Sequence, residues 1–333
     1  MPDRVNMPAP TPITICSVSY HHAPHLRLNI ELAAELNPGS DIRWLIGENT
    51  PAGNPLRLEN PVAHHVDVVA TEGLIPEKKR PQDFHTSAME ALIERVTTRF
   101  MLILDPDFFP IMAGWADQVV THMQANRLAL FGAPWHPRHI QKYRYFPAVH
   151  CTFVDREAFK DQPYTVKSLR DGMRGLSLKD RFSAPGIPAS ALGQKWRSGV
   201  LSRLFPKRWK QSWAIRDTGS ALYSRYWTGE TIPNECLTPV FDPAGQGGAV
   251  QAMLDKILPD DLSYVPKRRD SFSRSGQFLP QIPETQDWEA FLWRAKPFGF
   301  HMRGNWNRGQ RNPQAEVEMV REIIKQVTNT AVR

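Results

Sequence analysis

The chain has 333 residues, of which 41% are apolar and 23% are charged, a composition that excludes a wholly disordered protein. Its formal net charge of +7 suits an anionic partner such as a nucleotide, an anionic glycan, a phosphate-bearing lipid carrier or nucleic acid, although solubility explains the charge equally well. Cys16, Cys151 and Cys236 lack the spacing of a disulfide framework or a zinc cluster. We therefore expect a reducing compartment.

Membrane insertion is not expected from the sequence. No stretch approaches the roughly 18 to 20 apolar residues that span a bilayer, and residues 1–12 lack the apolar core of a signal peptide. We expect a cytoplasmic protein, whose membrane contact would be peripheral at the inner membrane face. Such contact would involve the basic segment at about 160–211, where residues 196–213, which extend just past its end, mix aromatic and basic side chains, although a solvated face has the same composition.

Apolar runs that alternate with helical patterns predict an α/β protein with a mostly parallel sheet covered by helices. In chain order we predict a strand at 13–20, a helix at 26–36, strands at 42–47 and 63–70, a helix at 84–96, a strand at 100–104 and a terminal helix at 312–327. Ligands of such sheets bind beyond the carboxyl ends of the strands. This places three pairs of residues on one rim: Tyr20 and His21, Glu48 and Asn49, and Asp105 and Asp107.

Asp105 and Asp107 directly follow the apolar run 100–104. At the rim of the sheet they would offer hard oxygen ligands beside a bound diphosphate. Mg²⁺ and Mn²⁺ bind through one or two carboxylates together with substrate phosphates, so a partial protein site is sufficient. An Asp-Pro turn that ends a strand has the same sequence, and the motif alone leaves both interpretations open.

The segments 85–92 and 96–107 resemble the GT-A glycosyltransferases, particularly their bacterial family 2-like branch. In that fold a helix with small residues near its start precedes the strand that carries an Asp-x-Asp motif. The strand ends Val18-Ser19-Tyr20 and Glu48-Asn49 are similar as well. The resemblance implies a GT-A fold, a mostly parallel mixed sheet flanked by helices. It also implies metal-dependent sugar transfer from a UDP- or GDP-type donor to a glycan or lipid-linked acceptor, in surface polysaccharide synthesis.

The same resemblance implies roles for individual residues. Asp105, Asp107 and His301 would hold Mn²⁺ or Mg²⁺, and the donor would be contacted by Tyr20, His21, Glu48, Asn49, His85, Ser87, Asp105 and Arg303. Asp217 stands where inverting members have a general base, at a helix start that an acid would also suit as an N-cap. Two departures from the family pattern, Glu48-Asn49 and Arg216-Asp217, leave the donor base and the stereochemistry open.

We expect one domain with a nucleotide-sugar-binding half at 13–150, an acceptor-side half at 151–310 that contains the basic insertion at about 160–211, and a C-terminal helix within 311–333. A nucleotidyltransferase or a methyltransferase would normally have a Gly-rich turn after the first strand, where this chain has residues 20–24. A nucleic-acid-binding protein would explain the basic charge but not the two aspartates. We therefore expect an enzyme without a nucleic-acid partner.

Overall fold

The computed structural model describes residues 11–50, 65–71, 81–136, 145–161, 164–168, 218–226, 232–240, 288–302 and 313–331. Asp217, Arg303 and most of the basic segment 160–211 lie outside these described residues, so the roles expected of them stay predictions. Among the described residues, no helix is sufficiently long and apolar to span a bilayer. The cysteines, all three of which are described, are buried free thiols.

Strands and helices alternate through the first half of the chain, as predicted. The elements are β1 (Ile13–Ser19), α1 (Ala23–Leu36), β2 (Ile42–Glu48), β3 (His65–Ala70), α2 (Pro81–Arg95), β4 (Phe100–Leu104), β5 (Phe108–Pro110), α3 (Trp115–Asn126), β6 (Leu130–Pro134), β7 (Pro147–Asp155), α4 (Ser220–Tyr226), β8 (Asn234–Cys236), β9 (Thr238–Pro239), β10 (Trp288–Trp293), β11 (Lys296–Met302) and α5 (Pro313–Ala331).

The larger sheet of the described chain has seven strands in the order β3-β2-β1-β4-β7-β6-β8. All neighbours pair in parallel except β7, which is antiparallel to both β4 and β6. This mostly parallel mixed sheet flanked by helices confirms the fold class that the sequence predicted. β7 runs across residue 150, where we expected the two halves to meet.

Both faces of the larger sheet are covered, which explains why its central strands are apolar throughout. In β4, Phe100, Leu102 and Leu104 pack into a core with α1 and α3, whereas Met101 and Ile103 pack into the core on the α2 and α4 side. Successive side chains of a strand point to opposite faces. A strand with helices on both sides therefore has no polar position until it leaves the sheet, which β4 does at Asp105.

A second, antiparallel sheet has the order β5-β11-β10-β9 among the described strands. Only three residues separate β4 from β5, so the chain passes from the larger sheet to the smaller one through residues 105–107. A further apolar cluster joins α1, β5, β11 and α5 through residues that include Leu28, Phe109, Phe300 and Val320. The C-terminal helix is therefore packed against the side of the smaller sheet.

Candidate metal centre

The loop that joins the two sheets is held by hydrogen bonds on both sides. The backbone N–H of Asp105 donates to the carbonyl of His150 on β7 at 2.9 Å. Nδ2 of Asn29 on α1 donates to the carbonyl of Pro106 at 2.9 Å, and both Asn29 and Pro106 are buried. These bonds fix the backbone between the two aspartates, so their carboxylates project from a rigid segment at the carboxyl end of β4.

Strand pairing in the smaller sheet brings His301 to this loop. β11 pairs with β5 so that His301 lies opposite Phe108, and the N–H of Met302 donates to the carbonyl of Asp107 at 2.9 Å. As a result, Nε2 of His301 lies 3.2 Å from Oδ1 of Asp107. The strand β11 therefore carries the histidine that the resemblance nominated as the third metal ligand.

Asp105, Asp107 and His301 are close enough to share one metal ion. One ligand atom from each lies within 4.8 Å of the other two. Oδ1 of Asp105 is buried and has no hydrogen-bond partner among the described residues, although Nε2 of His85 lies 3.4 Å from it. A buried carboxylate oxygen without a donor is costly. Two carboxylates and an imidazole therefore fit a divalent cation, which would satisfy that oxygen.

The charges of Asp107 and His301 act strongly on each other. Burial alone would raise the pKa of Asp107, but the charge and hydrogen bond of His301 outweigh burial and hold this pKa below its usual value. Burial would likewise lower the pKa of His301, yet Asp107 and then Glu289 raise it to about 9. Without a metal the two side chains form an ion pair, and a cation that binds His301 must displace a proton.

Glu289 and His150 are two site residues whose roles the sequence did not reveal. Oε2 of Glu289, a fully buried residue on β10, lies 3.3 Å from Nδ1 of His301. The His150 ring stacks on the His301 ring with 4.7 Å between centroids and 14° between planes. Glu289 is the one acid in the otherwise apolar strand β10, and this pattern could have marked it as unusual. Nothing in the sequence indicated that its partner is His301.

The residues expected to contact the donor nucleoside lie on the same rim, at the carboxyl ends of β1 and β2. Oε1 of Glu48 accepts a hydrogen bond from the backbone of Thr50 at 2.8 Å. Oδ1 of Asn49 accepts one from the hydroxyl of Thr71. These two side chains are buried and hold the backbone of the rim in place. Tyr20, by contrast, is 41% exposed and can contact a ligand.

Two other expected donor contacts, His21 and His85, approach the rim from different sides. His21 has a positive φ of 60° and donates its backbone N–H to the hydroxyl of Thr50 at 3.0 Å. His85 on α2 lies beside Asp105, as described above. Ser87, half a helical turn further along α2, is half-buried. His22, which we had not selected, is close enough to the site for the charges of Asp107 and Asp105 to act on it, although burial lowers its pKa overall.

The fold and the site define an α/β protein with a candidate divalent-metal centre at the carboxyl rim of its sheet. No protein-family model matches the chain, and no curated protein sequence matches it. The mannosyltransferase PcManGT from Pyrobaculum calidifontis, solved in complex with GDP-Man and Mn²⁺, is similar over 46% of this chain and 46% of its own, with 11% identity and a TM-score of 0.32.

TarS 1–349 from S. aureus is similar over 45% of this chain and 49% of its own, with 9% identity and a TM-score of 0.32. The chain thus spans about half the length of these solved structures.

Proposed function

We propose that this protein is a metal-dependent glycosyltransferase that moves a sugar from a nucleoside-diphosphate donor to a glycan or lipid-linked acceptor. The observation that carries the proposal is the meeting of Asp105, Asp107 and His301 at the carboxyl end of β4. Two of these ligands come from the loop between the sheets and the third from a strand near the C-terminus.

The charges around the site favour a cation that is shared with an anionic ligand. Three carboxylates, those of Asp105, Asp107 and Glu289, lie around the imidazole of His301. A site with only three protein ligands leaves coordination positions open to phosphate oxygens, as Mg²⁺ and Mn²⁺ sites in phosphate-binding enzymes do. When bound, the cation would neutralise the charge that develops on the departing nucleoside diphosphate.

The rim supplies groups that suit the rest of such a donor. Tyr20 offers an exposed ring at the end of β1, and His85 lies beside Asp105, where its imidazole can donate to a phosphate oxygen. In this proposal Glu48 and Asn49 support the nucleoside side of the rim through the contacts that they make with Thr50 and Thr71. Arg303 would add a contact to the diphosphate, and Asp217 would accept the proton of the acceptor hydroxyl.

Nucleotide binding that depends on a divalent cation tests the proposal. The melting temperature of the purified chain would be measured with UDP, GDP, ADP and CDP, each with Mn²⁺, with Mg²⁺ and with EDTA. A ligand of the native state raises the melting temperature. We expect at least one diphosphate to stabilise the protein with Mn²⁺ or Mg²⁺ and to lose this effect in EDTA. Equal stabilisation in EDTA, or none by any diphosphate, would contradict the proposal.

Product analysis then distinguishes sugar transfer from nucleotidyl transfer. With the sugar conjugate of the stabilising nucleotide as substrate, a glycosyltransferase releases the nucleoside diphosphate. A nucleotidyltransferase running in reverse would consume pyrophosphate and release the nucleoside triphosphate and a sugar phosphate. We expect the diphosphate alone, with its release accelerated by an acceptor glycan. A polysaccharide of the cell surface is the acceptor class that we would test first.

A further inference from the structure

Glu289 is a carboxylate placed in the middle of an apolar strand. All six residues of β10, Trp288–Trp293, are buried, and the side chain of Glu289 is 0% exposed. Burying a carboxylate is unfavourable unless a specific partner compensates it, and a buried ion pair is often no more stabilising than an apolar pair of the same size. The position of Glu289 therefore calls for an explanation other than packing.

Strand register gives Glu289 its partner. Glu289 lies directly opposite His301 in the antiparallel pairing of β10 with β11, and His301 lies opposite Phe108 in the pairing of β11 with β5. Side chains that are directly opposite in an antiparallel pair project from the same face of the sheet. The carboxylate of Glu289 therefore reaches the imidazole of His301, with 3.3 Å between Oε2 and Nδ1.

The two nitrogens of His301 consequently face two different carboxylates. Nδ1 faces Glu289 at 3.3 Å, while Nε2 faces Asp107 at 3.2 Å, on the side of the candidate metal centre. The ring cannot turn freely between them, because His150 stacks on it and the ring of Phe108 lies 5.8 Å from its centroid. The geometry thus gives the two nitrogens different roles: Nδ1 can be held by Glu289, and Nε2 can bind the cation.

We propose that Glu289 is a positioning residue that accepts the Nδ1–H of His301 and so presents the lone pair of Nε2 to the cation held by Asp105 and Asp107. Histidines that ligate a metal normally donate their other N–H to a carboxylate, carbonyl or water, which fixes the tautomer and raises the basicity of the ligating nitrogen. This inference rests on the metal centre of the proposed function. It adds a residue that touches neither metal nor substrate.

Substituting Glu289→Gln tests the inference, because the amide keeps the size of the side chain and removes its charge. Affinity for Mn²⁺ would be measured by electron paramagnetic resonance of the free ion, with the metal alone and with saturating UDP or GDP. We expect a loss of about 10- to 100-fold in Mn²⁺ affinity, the range found when supporting partners of metal ligands are changed. Unchanged affinity in a folded Glu289→Gln protein would overturn the inference.

Glu316→Gln is the matched control. Oε2 of Glu316 lies 3.2 Å from Nε2 of His25, so this is also a buried carboxylate paired with an imidazole, but it joins α5 to α1 rather than supporting a metal ligand. We expect Glu316→Gln to lower the melting temperature while changing Mn²⁺ affinity less than threefold. Equal losses of affinity in both variants would show a general effect of destabilisation and would count against a positioning role.

A spectroscopic measurement on the wild-type protein does not depend on how the variant folds. With ¹⁵N-labelled histidine and diamagnetic Mg²⁺ plus UDP or GDP, His301 should show a protonated Nδ1 and an unprotonated Nε2, with its signals assigned from their absence in His301→Gln. A protonated Nε2 in the metal-bound protein would overturn the inference while leaving metal binding itself intact. If the wild-type protein bound neither Mn²⁺ nor Mg²⁺, the proposed function would fail and this inference with it.

Discussion

Nε2 of His301 lies 3.2 Å from Oδ1 of Asp107, although 194 positions of the sequence separate the two residues. The contact joins the loop after β4 to the strand β11 and so lies at the junction of the larger and the smaller sheet. Because the ligands come from both sheets, the centre forms only when the two sheets pack in their native arrangement. Metal binding is therefore expected to report on the packing of the junction as well as on the ligands.

Asp107→Ala should abolish metal-dependent nucleotide binding. The substitution removes one of three protein ligands, and it leaves His301 without the carboxylate that its Nε2 faces. We expect the affinity for the stabilising nucleoside diphosphate with Mn²⁺ to fall by at least tenfold, while circular dichroism shows a folded protein. Titration calorimetry with and without EDTA would measure the change.

Asp67→Ala is the control for this variant. Asp67 also pairs with a histidine, His65, at 3.0 Å, but the pair is exposed on β3. We expect the Asp67→Ala protein to bind nucleotide and metal as the wild type does. Wild-type affinity in Asp107→Ala would exclude that residue from the metal centre.

The stability of the metal-free protein should depend on pH through His301. Its pKa is raised from 6.5 to about 9 in the folded protein, so its contribution to the free energy of unfolding is complete below about pH 6.5 and is lost as the pH rises through about 9. Denaturant unfolding in EDTA at a series of pH values would measure this contribution as the difference between wild type and His301→Gln. The difference should shrink between pH 6.5 and 9; a constant difference would contradict the assigned ion pair.

Asp107 also contributes to the stability of the metal-free protein, and its contribution changes at acidic pH. Its pKa lies below the usual value of 3.8, so the stability that it confers is present above that pH and is lost as the pH falls further. The metal-free ion pair is therefore most stabilising between about pH 4 and 6.5. His65→Gln, which changes an exposed imidazole, should leave this pH profile unaltered.

Gly299→Ala should weaken metal binding without changing a ligand. A Cβ atom at Gly299 would lie 2.6 Å from the carbonyl oxygen of Phe109, so β11 and β5 cannot keep their present separation. Overpacking of this kind costs about 1 to 3 kcal/mol, and here it falls two residues before His301. We expect a lower melting temperature together with weaker Mn²⁺ binding. Loss of stability with unaltered Mn²⁺ affinity would show that the centre tolerates movement of β11.

Asp217→Asn should separate transfer from binding. If Asp217 takes the proton of the acceptor hydroxyl, the variant loses roughly 100- to 10,000-fold in transfer rate. The nucleotide-dependent rise in melting temperature should stay as in the wild type, because a base that acts on the acceptor hydroxyl is not required for nucleotide binding. Single-turnover release of the nucleoside diphosphate would measure the rate, and an unchanged rate would remove Asp217 from this role.

Local patterns were sufficient to predict four of the seven strands of the larger sheet, β1 to β4. Residues 100–104 were predicted as a buried strand and form β4 with the same bounds, because an apolar run covered on both faces has an unambiguous end at Asp105. The first helix begins at Ala23 rather than at the predicted residue 26, because Pro24 fits the first turn of a helix as well as it fits a turn. The antiparallel direction of β7 had no local signal.

The smaller sheet and the support of the metal centre could not be predicted in the same way. β5 has three residues and β9 has two, which is too short for a periodic pattern. The contact of Glu289 with His301 depends on the register of β10 with β11. The contact of His301 with Asp107 depends on the pairing of β11 with β5, two strands that are far apart in the sequence. The resemblance to GT-A enzymes suggested His301, but only the fold supplied Glu289.

Crystals grown with Mn²⁺ and the stabilising nucleoside diphosphate test the central claim most directly, through the anomalous scattering of manganese. The account predicts one strong anomalous peak within bonding distance of the carboxylates of Asp105 and Asp107 and of Nε2 of His301, with phosphate oxygens of the nucleotide completing the coordination. A nucleotide bound elsewhere, or manganese absent from these three side chains while the nucleotide is present, would contradict it.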